Sequence, residues 1–392
     1  MDFIHSIPWL ILISSVAKTA FLIFGVVLPL VSYTVYAERR VSAFIQDRVG
    51  PNRTGFPLTL LGFKKDFSPI LGGLGQPVAD AVKFLLKEEF TPGHVNKFYF
   101  WLAPVMAMVP ALATLAVVPF GDFLFGQKMV VADVNIGILY VFAISSIGVY
   151  GIVLAGWSSN SKYPFLGSIR STSQMISYEL SLGLSAVPLL MIFGNLNLSD
   201  QIMYQAQHGW LLVPFLSSGQ FHDFHLTASQ IVLWPCVFIS FVVFTISMFA
   251  ETNRMPFDLP ESETELVAGY HTEYSAMKFA LFFLGEYTAM IAGSSVIVVL
   301  FLGGWDLPFL PINTAESSMW HGLLGGSGIW FGLIHITVFF GKVAMLLIFF
   351  IWVRWTVPRF RFDQLMKLGW LYLFEIALAN IVLAAAILAF LK

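Results

Sequence analysis

The chain has 392 residues, of which 57% are hydrophobic and 11% charged, and its formal net charge is −2. Soluble globular domains are much more polar, so this composition predicts a polytopic membrane protein. The apolar runs are continuous rather than alternating, which excludes a membrane β-barrel. The single cysteine, Cys236, excludes an internal disulfide and an iron–sulfur cluster held by this chain's own thiolates.

Eight apolar runs are long enough to cross the roughly 30 Å of hydrocarbon in a bilayer. We therefore predict an all-α fold, a polytopic membrane protein that forms a single membrane domain over residues 1–392. An even number of spans places both termini on one side of the membrane. The predicted spans are Ile11–Tyr36, Phe98–Pro119, Ile136–Ala155, Gln174–Phe193, Ile231–Phe249, Met277–Leu302, Ile329–Val353 and Leu368–Leu391.

Lysine and arginine are concentrated in the loops on one side of the membrane, which we call the basic face. Most of the 21 basic residues lie there, in the first loop (38–97), the acidic loop (250–276) and the loop before the last span. By the positive-inside rule this face is cytoplasmic, and both termini lie outside. The first loop ends in QPVADAVKFLLKEE (76–89), whose apolar residues recur at helical spacing and predict an amphipathic helix at the membrane surface.

Residues 250–274 are the densest charged stretch of the chain, and they lie between two strongly apolar runs. Arg254 is their only cation, and Pro256 and Pro260 restrict the backbone. A hydrated loop with inert carboxylates is one interpretation. We favour a stretch that packs inward around a hydrated cavity, because unpaired carboxylates beside hydrocarbon are unfavourable. Its carboxylates are Glu251, Asp258, Glu261, Glu263, Glu265 and Glu273.

Further ionisable residues fall in or beside predicted spans, where an ionised side chain facing lipid costs about 3 kcal/mol. The carboxylates fit a proton path that includes Tyr178, since a buried carboxyl group can exist in either protonation state. Snorkelling near helix ends and ordinary interhelical hydrogen bonds are the alternatives. These residues are Glu38, Glu179, Glu286, Glu375, Lys18 and Lys342.

Three histidines, His208, His222 and His225, share one loop. Their spacing matches no standard ligand pattern, so we favour a hydrated loop over a metal site and predict no metal.

Three stretches of the sequence resemble the signatures of a known family. They are AERRVSAFIQDRVGPNRTG (37–55), GQPVADAVKFLLKE (75–88) and AETNRMPFDLPESETELVAGYHTEYSAMKFALFFLGEY (250–287), and a shorter match, SYEL, lies at 177–180. The family is the membrane subunit 1, or H, of respiratory complex I, the proton-pumping NADH:quinone oxidoreductase. The third match is highly specific, and the first two are specific in combination.

The resemblance implies an enzyme subunit that has no redox centre and no catalytic residue of its own. In that family the subunit anchors the peripheral arm to the membrane arm and helps to form a narrow chamber for quinone, either ubiquinone or menaquinone. FMN and the iron–sulfur clusters belong to partner subunits. A line of buried charges leads from the chamber towards the antiporter-like subunits. The implied partners are the other complex I subunits and membrane lipids, with no nucleic acid.

The resemblance also assigns expected roles to individual residues. The quinone-chamber residues would be Glu38, Arg39, Arg48, Asp80, Ala81, Lys83 and Phe257. The proton-path residues would be Tyr178, Glu179, Glu251, Arg254, Asp258, Glu261, Glu263, Glu265, Glu273 and Glu286.

The sequence departs from the family pattern at Phe56–Leu74, an apparent insertion between two of the motifs. The chain is also longer than the mitochondrial form, which favours a bacterial inner membrane. Two alternatives stay open: the equivalent subunit of a related membrane-bound hydrogenase or quinone-linked dehydrogenase, and a stand-alone proton-coupled carrier. The carrier predicts internal repeats, and none is evident in the sequence.

Overall fold

A computed structural model describes residues 9–52, 73–124, 127–214, 228–259, 266–307 and 328–391. Within those ranges, eight helices are long and apolar enough to cross a membrane, which confirms the predicted all-α membrane fold. The α-helices are α1 (Trp9–Ala20), α2 (Leu28–Ile45), α3 (Gln76–Leu86), α4 (Lys97–Thr114), α5 (Gly137–Ser158), α6 (Lys162–Phe193), α7 (Leu198–His208), α8 (Ala228–Glu251), α9 (Ala276–Phe301), α10 (Gly328–Thr356), α11 (Phe362–Lys367) and α12 (Phe374–Leu391).

Short π-helical and extended segments complete the architecture. One π-helical segment, Phe21–Val27, joins α1 to α2, and another, Leu368–Leu373, joins α11 to α12. The strands β1 (Gly121–Leu124) and β2 (Gln127–Met129) pair antiparallel on the face opposite the basic loops. The ammonium of Lys18 donates to the Lys128 carbonyl of this hairpin at 2.7 Å, which gives that intramembrane lysine a structural partner.

Helix α9 lies at the centre of the molecule. In its most apolar window 78% of the residues are buried inside the protein, against 22% for the last membrane span, Phe362–Leu391. A helix that is apolar all round buries all of its faces, whereas the last span leaves large side chains such as Val382 exposed, as a lipid-facing helix does. The site residues that α9 carries are therefore held by surrounding helices.

Small residues allow the helices around α9 to approach closely. A Cβ atom added to Gly285 of α9 would lie 3.2 Å from the Cα of Met108 in α4, and one added to Gly167 of α6 would lie 2.9 Å from the Cα of Gly269. Association of membrane helices depends on such close packing, because lipid gives no hydrophobic drive for helices to associate.

Several predicted boundaries are wrong at the basic face, where helices continue beyond the apolar runs. Helix α2 extends to Ile45, so Glu38 is helical rather than the first residue of a loop. Helix α6 begins at Lys162, not Gln174, and Glu179 therefore lies in mid-helix rather than one turn from its start. Lys278 lies in the first turn of α9, where it is buried. Polar residues in these helix ends face neighbouring protein rather than lipid, so a hydropathy boundary underestimates the helix.

Candidate functional site: a buried cluster of carboxylates and arginines

Glu38 of α2 lies at the centre of a buried polar cluster near the basic face. Its carboxylate accepts hydrogen bonds from the hydroxyl of Tyr287 on α9 and from the guanidinium of Arg354 on α10. The guanidinium of Arg254, which follows α8, lies 3.7 Å from the same carboxylate. Only 7% of the Glu38 surface is exposed. Three separate elements thus place side chains around one carboxylate of α2.

Arg254 connects Glu38 to a second carboxylate. Its Nε atom is 2.9 Å from Oε1 of Glu286 on α9, and its guanidinium carbon lies 4.1 Å from the centre of the Tyr287 ring. Arginine suits this position because its planar group can pair with carboxylates and stack on an aromatic ring at the same time. We call Glu38, Arg254, Glu286, Tyr287 and Arg354 the Glu38 cluster.

The charges of the Glu38 cluster balance, with two arginines against two carboxylates. An unpaired ion at such depth is strongly unfavourable, and breaking a buried pair typically costs about 3–5 kcal/mol. A proton added to either carboxylate would unbalance the cluster. The arrangement is therefore sensitive to proton number, which is the property required of a group that passes protons on.

The turn that positions Arg254 is held by α6. Asn253 has a φ of 51°, a left-handed conformation that asparagine tolerates better than most residues. Gln174 donates from Nε2 to the carbonyls of Ala250 and Phe257, at 2.8 and 2.9 Å, and to Oδ1 of Asn253 at 3.2 Å. One amide group thereby ties together both sides of the turn.

A second pair of carboxylates lies on the α5 side. Ser146 of α5 donates to Glu179 of α6, and the adjacent Ser145 hydrogen-bonds to Glu251 at the end of α8. The two carboxylates are close enough to interact electrostatically. Two carboxylates this close repel each other when both are ionised.

A cavity links the two groups of carboxylates. Its empty volume is about 860 Å³, including the part open to the surroundings, and α4, α5, α6, α8 and α9 line it. Glu251 and Glu286 both reach it, while Ala107, Leu182 and Val296 give it an apolar wall. Water inside such a space could bridge polar groups that make no direct contact, since bridging needs room and polar partners.

The described part of the acidic stretch packs inward. Asp258 is buried and pairs with Arg359 at 3.2 Å, and Phe257 packs edge-on against Tyr178. The Tyr178 hydroxyl donates to the Leu365 carbonyl at 2.9 Å. Glu273 is partly buried. Glu261, Glu263 and Glu265 lie outside the described residues.

The predicted quinone-chamber residues of α2 and α3 form a separate group at the protein surface. Arg39 pairs with Asp80 at 2.9 Å and so joins α3 to the end of α2. Arg48, Ala81 and Lys83 are exposed. Helix α3, which confirms the predicted amphipathic helix, has no buried residue. This group shares only the Glu38 end of α2 with the buried cluster.

Sequence reasoning misses two members of the Glu38 cluster. Tyr287 is only the last letter of a motif in the sequence, and Arg354 falls one residue beyond the predicted end of a span, although α10 continues to Thr356. Arg354 directly follows the predicted end of a span, so the sequence could have predicted that the helix includes it. An arginine at that depth is a candidate partner for an intramembrane carboxylate.

Only one of the three histidines of the predicted loop lies among the described residues. His208 ends α7, and His222 and His225 lie outside the described residues. No group of metal-ligating residues occurs among those that are described.

Comparison with known proteins places the chain in one family along nearly its whole length. The model of the family described as NADH dehydrogenase matches residues 17–385. The H 1 subunit of NADH-quinone oxidoreductase from Geobacter metallireducens is 46% identical over 378 residues, which are 95% of each chain. The H subunit of the same enzyme from Salinibacter ruber is 45% identical over 371 residues, or 94% of each chain. NADH-quinone oxidoreductase subunit 8 of Rhodothermus marinus is 42% identical over 369 residues, which are 94% of this chain and 96% of the relative. The chain belongs to the family of NADH-quinone oxidoreductase H subunits and is a multi-pass membrane subunit of respiratory complex I.

Proposed function

We propose that this chain couples quinone reduction to proton movement through the Glu38 cluster and the carboxylates across the cavity. The observation that carries the proposal is the balanced set of two arginines and two glutamates, buried between four elements and open on one side to the cavity. Reduction of a quinone to a quinol takes two electrons and two protons. The negative charge that arrives with the electrons would change the balance of a nearby buried cluster, as in other local electrostatic switches.

The quinone itself, ubiquinone or menaquinone, would occupy a chamber between this chain and the peripheral arm. The exposed faces of α2 and α3, with Arg39, Arg48, Asp80, Ala81 and Lys83, would line its entrance and wall, and Phe257 would lie deeper. Electrons would come from FMN and iron–sulfur clusters in partner subunits. The path through Glu179, Glu251, Asp258 and Glu273 would lead on towards the antiporter-like subunits.

We infer a bacterial inner membrane location with both termini on the periplasmic side. The arginines and lysines at the ends of α2, α10 and α11 support the cytoplasmic assignment of the basic face. Cysteine labelling of a residue in the β1–β2 hairpin tests this orientation. We expect labelling by a membrane-impermeant reagent in spheroplasts, and labelling only in inverted vesicles would contradict it.

Replacement of Glu286 by Gln in the intact complex tests the coupling proposal. Glutamine keeps the shape but cannot be ionised, so we expect quinone-reductase turnover to fall about ten-fold, and proton pumping with it, in a fully assembled complex. Glu375→Gln is the matched control, because Glu375 is also intramembrane but is exposed and remote from the cavity. Normal turnover and pumping in Glu286→Gln would overturn the proposal.

A bulkier residue at Ala81 tests the chamber. Ala81 is exposed on α3, so Ala81→Leu should leave the chain folded and raise the KM for quinone several-fold with little change in kcat. Val78→Leu, on the same helix, is the control. An unchanged KM would remove Ala81 from the chamber wall.

A further inference from the structure

A second, wholly apolar space lies away from the Glu38 cluster. It is a groove of about 770 Å³, including its open part, between α8, α10 and the start of the π-helical segment Leu368–Leu373. Phe249 and Ile246 line it from α8, Phe349 and Val353 from α10, and Phe360 closes it at the basic face. The part of this space that water can reach is about 380 Å³, which falls within the range of about 300–1,000 Å³ that small-molecule sites occupy.

Aromatic contacts pack the walls of the groove. Phe249 stacks on Phe350 with ring centres 3.9 Å apart, and Phe257 packs against Phe360 at 5.5 Å. Phe349 and Val357 are 38% and 37% exposed, so the groove opens towards the surroundings of the helices. An apolar, outward-opening groove between membrane-spanning helices fits a linear alkyl chain.

Three basic residues are sequence neighbours of lining residues at the basic-face end of the groove. Arg359 precedes the lining residue Phe360, Arg361 follows it, and Lys367 precedes the lining residue Leu368. The Arg361 side chain is 82% exposed, and its contact with Asp363 is a loose 3.6 Å. The neighbouring Trp352 and Trp370 are exposed, as is typical of indoles at the headgroup level.

We propose that this groove holds an acyl chain of an anionic phospholipid whose phosphate is bound by Arg361 and Lys367, with Arg359 beside it. Basic pockets between membrane helices on the cytoplasmic side are a recurring setting for anionic headgroups. Charge selects this occupant: a neutral alkyl quinone would fill the groove equally well but would gain nothing from the exposed Arg361 and Lys367.

The site would also contact the acidic stretch. Arg359 pairs with Asp258, four residues after Arg254, and the Phe360 amide donates to the Pro256 carbonyl at 3.2 Å. A phospholipid bound here would therefore hold the segment that carries Arg254 in place from the lipid side. The site does not depend on the proposed coupling role, because its evidence is the groove and its cations alone. Phe257 also lines the groove and is the one residue that it shares with the proposed quinone chamber.

Photolabelling of the intact complex in nanodiscs tests the proposal. Phosphatidylglycerol and phosphatidylcholine, each with a photoactivatable group on the acyl chain, are supplied separately, and labelled peptides are identified by mass spectrometry. We expect phosphatidylglycerol to label the peptides containing Phe249 and Val353 at least five-fold more than phosphatidylcholine does.

Two sets of variants locate the headgroup and the chain. Arg361→Gln combined with Lys367→Gln should reduce the preference to near parity, while the exposed Lys87→Gln should keep it. Val357→Trp should fill the groove and abolish labelling there, while Val382→Trp, on the lipid-facing side of α12, should not.

Equal labelling by the two phospholipids in the wild-type complex would overturn the proposal and indicate only annular lipid. Preferential labelling by a photoactivatable alkyl quinone would overturn it as well. The wild-type comparison needs no variant, so it holds even if Val357→Trp fails to assemble. Quinone-reductase turnover of Glu286→Gln is a separate measurement, which keeps failure of this site distinct from failure of the coupling role.

Discussion

Among the described residues, two of the regions that bury charge inside the membrane domain neutralise it in different ways. In the Glu38 cluster each ion meets an ion of opposite charge. At the other end of the molecule, Lys342 of α10 donates to the carbonyls of Leu302, Gly304 and Asp306 at 2.7, 2.9 and 2.7 Å, and lies 3.8 Å from the Trp210 ring. Lys342 thus caps the C-terminal end of α9 from a neighbouring helix.

The difference indicates which region can respond to protons. Backbone carbonyls at a helix end are fixed partial charges, so they hold an ammonium group in one place. Carboxylates can gain or lose a proton, and a balanced pair can be rearranged when the charge nearby changes. We therefore expect Lys342 to support assembly and the Glu38 cluster to support turnover.

The largest expected effect is on assembly, from Lys342→Met. Three carbonyls would lose their donor, and a buried unsatisfied group costs about 1–3 kcal/mol. We expect the amount of assembled complex on native gels to fall at least ten-fold, with unchanged turnover per complex. Lys162→Met, at an exposed lysine of α6, is the control. A fully assembled but slow Lys342→Met complex would erase the distinction between the two regions.

The next effect comes from the Glu38 cluster and should show pairing. Arg254→Met leaves Glu286 without its ion partner, so we expect a destabilisation of about 3 kcal/mol, seen as a fall of several degrees in the thermal midpoint. Adding Glu286→Gln should recover part of that loss, because neighbouring sites are not additive. Adding the remote Glu375→Gln should recover nothing, and equal recovery by both would show that no specific pair exists.

A smaller effect should follow from releasing the turn that carries Arg254. Gln174→Leu removes the amide that bridges Ala250 and Phe257, so hydrogen exchange in residues 252–259 should become faster within the intact complex. Turnover should fall about three-fold, because Arg254 is less well placed. Ser173→Ala, one residue away on α6, is the control. Unchanged exchange would mean that the turn is held by other contacts.

The smallest effect concerns the hairpin opposite the basic face. Burial raises the pKa of Asp122 from 3.8 to about 6, with Lys128 opposing the rise. A raised carboxyl pKa means that ionisation disfavours the folded state, so stability falls as the pH rises from about 4 to above 6.

Asp122→Asn should therefore stabilise the protein at pH 8, by about 1 kcal/mol given partial exposure, and have little effect at pH 4, as measured by the thermal midpoint. Asp363→Asn is an exposed control, and an equal gain at both pH values would contradict the assignment.

The sequence was sufficient for the fold because membrane spans are local. Each of the eight helices has its own apolar run, and the amphipathic character of α3 follows from its own spacing. Hydropathy did not predict the start of α6 correctly, because serines there face other helices. For example, Ser168 of α6 lies so close to Gly156 of α5 that a Cβ atom added to Gly156 would overlap it. A hydropathy profile is calculated from the sequence alone, so it cannot show that a polar residue packs against another helix.

The candidate site was predictable only in part, because its partners are far apart in the chain. Glu38, Arg254 and Glu286 stand out in the sequence as charges in unfavourable places, which is a local property. That Tyr287 and Arg354 meet Glu38 depends on how α2, α9 and α10 pack, at separations of 249 and 316 residues. The cap on α9 by Lys342 could not be predicted either. Its acceptors are backbone carbonyls, which every residue has, so the sequence does not distinguish them.

Infrared difference spectroscopy of the intact complex tests the central claim most directly. Spectra are recorded as NADH reduces bound quinone, in the wild type and in the Glu286→Gln and Glu375→Gln variants. If the buried cluster exchanges protons with quinone chemistry, a carboxyl C=O stretching component will be present in the wild type and in Glu375→Gln, and absent or shifted in Glu286→Gln. An identical carboxyl signal in all three would contradict the account.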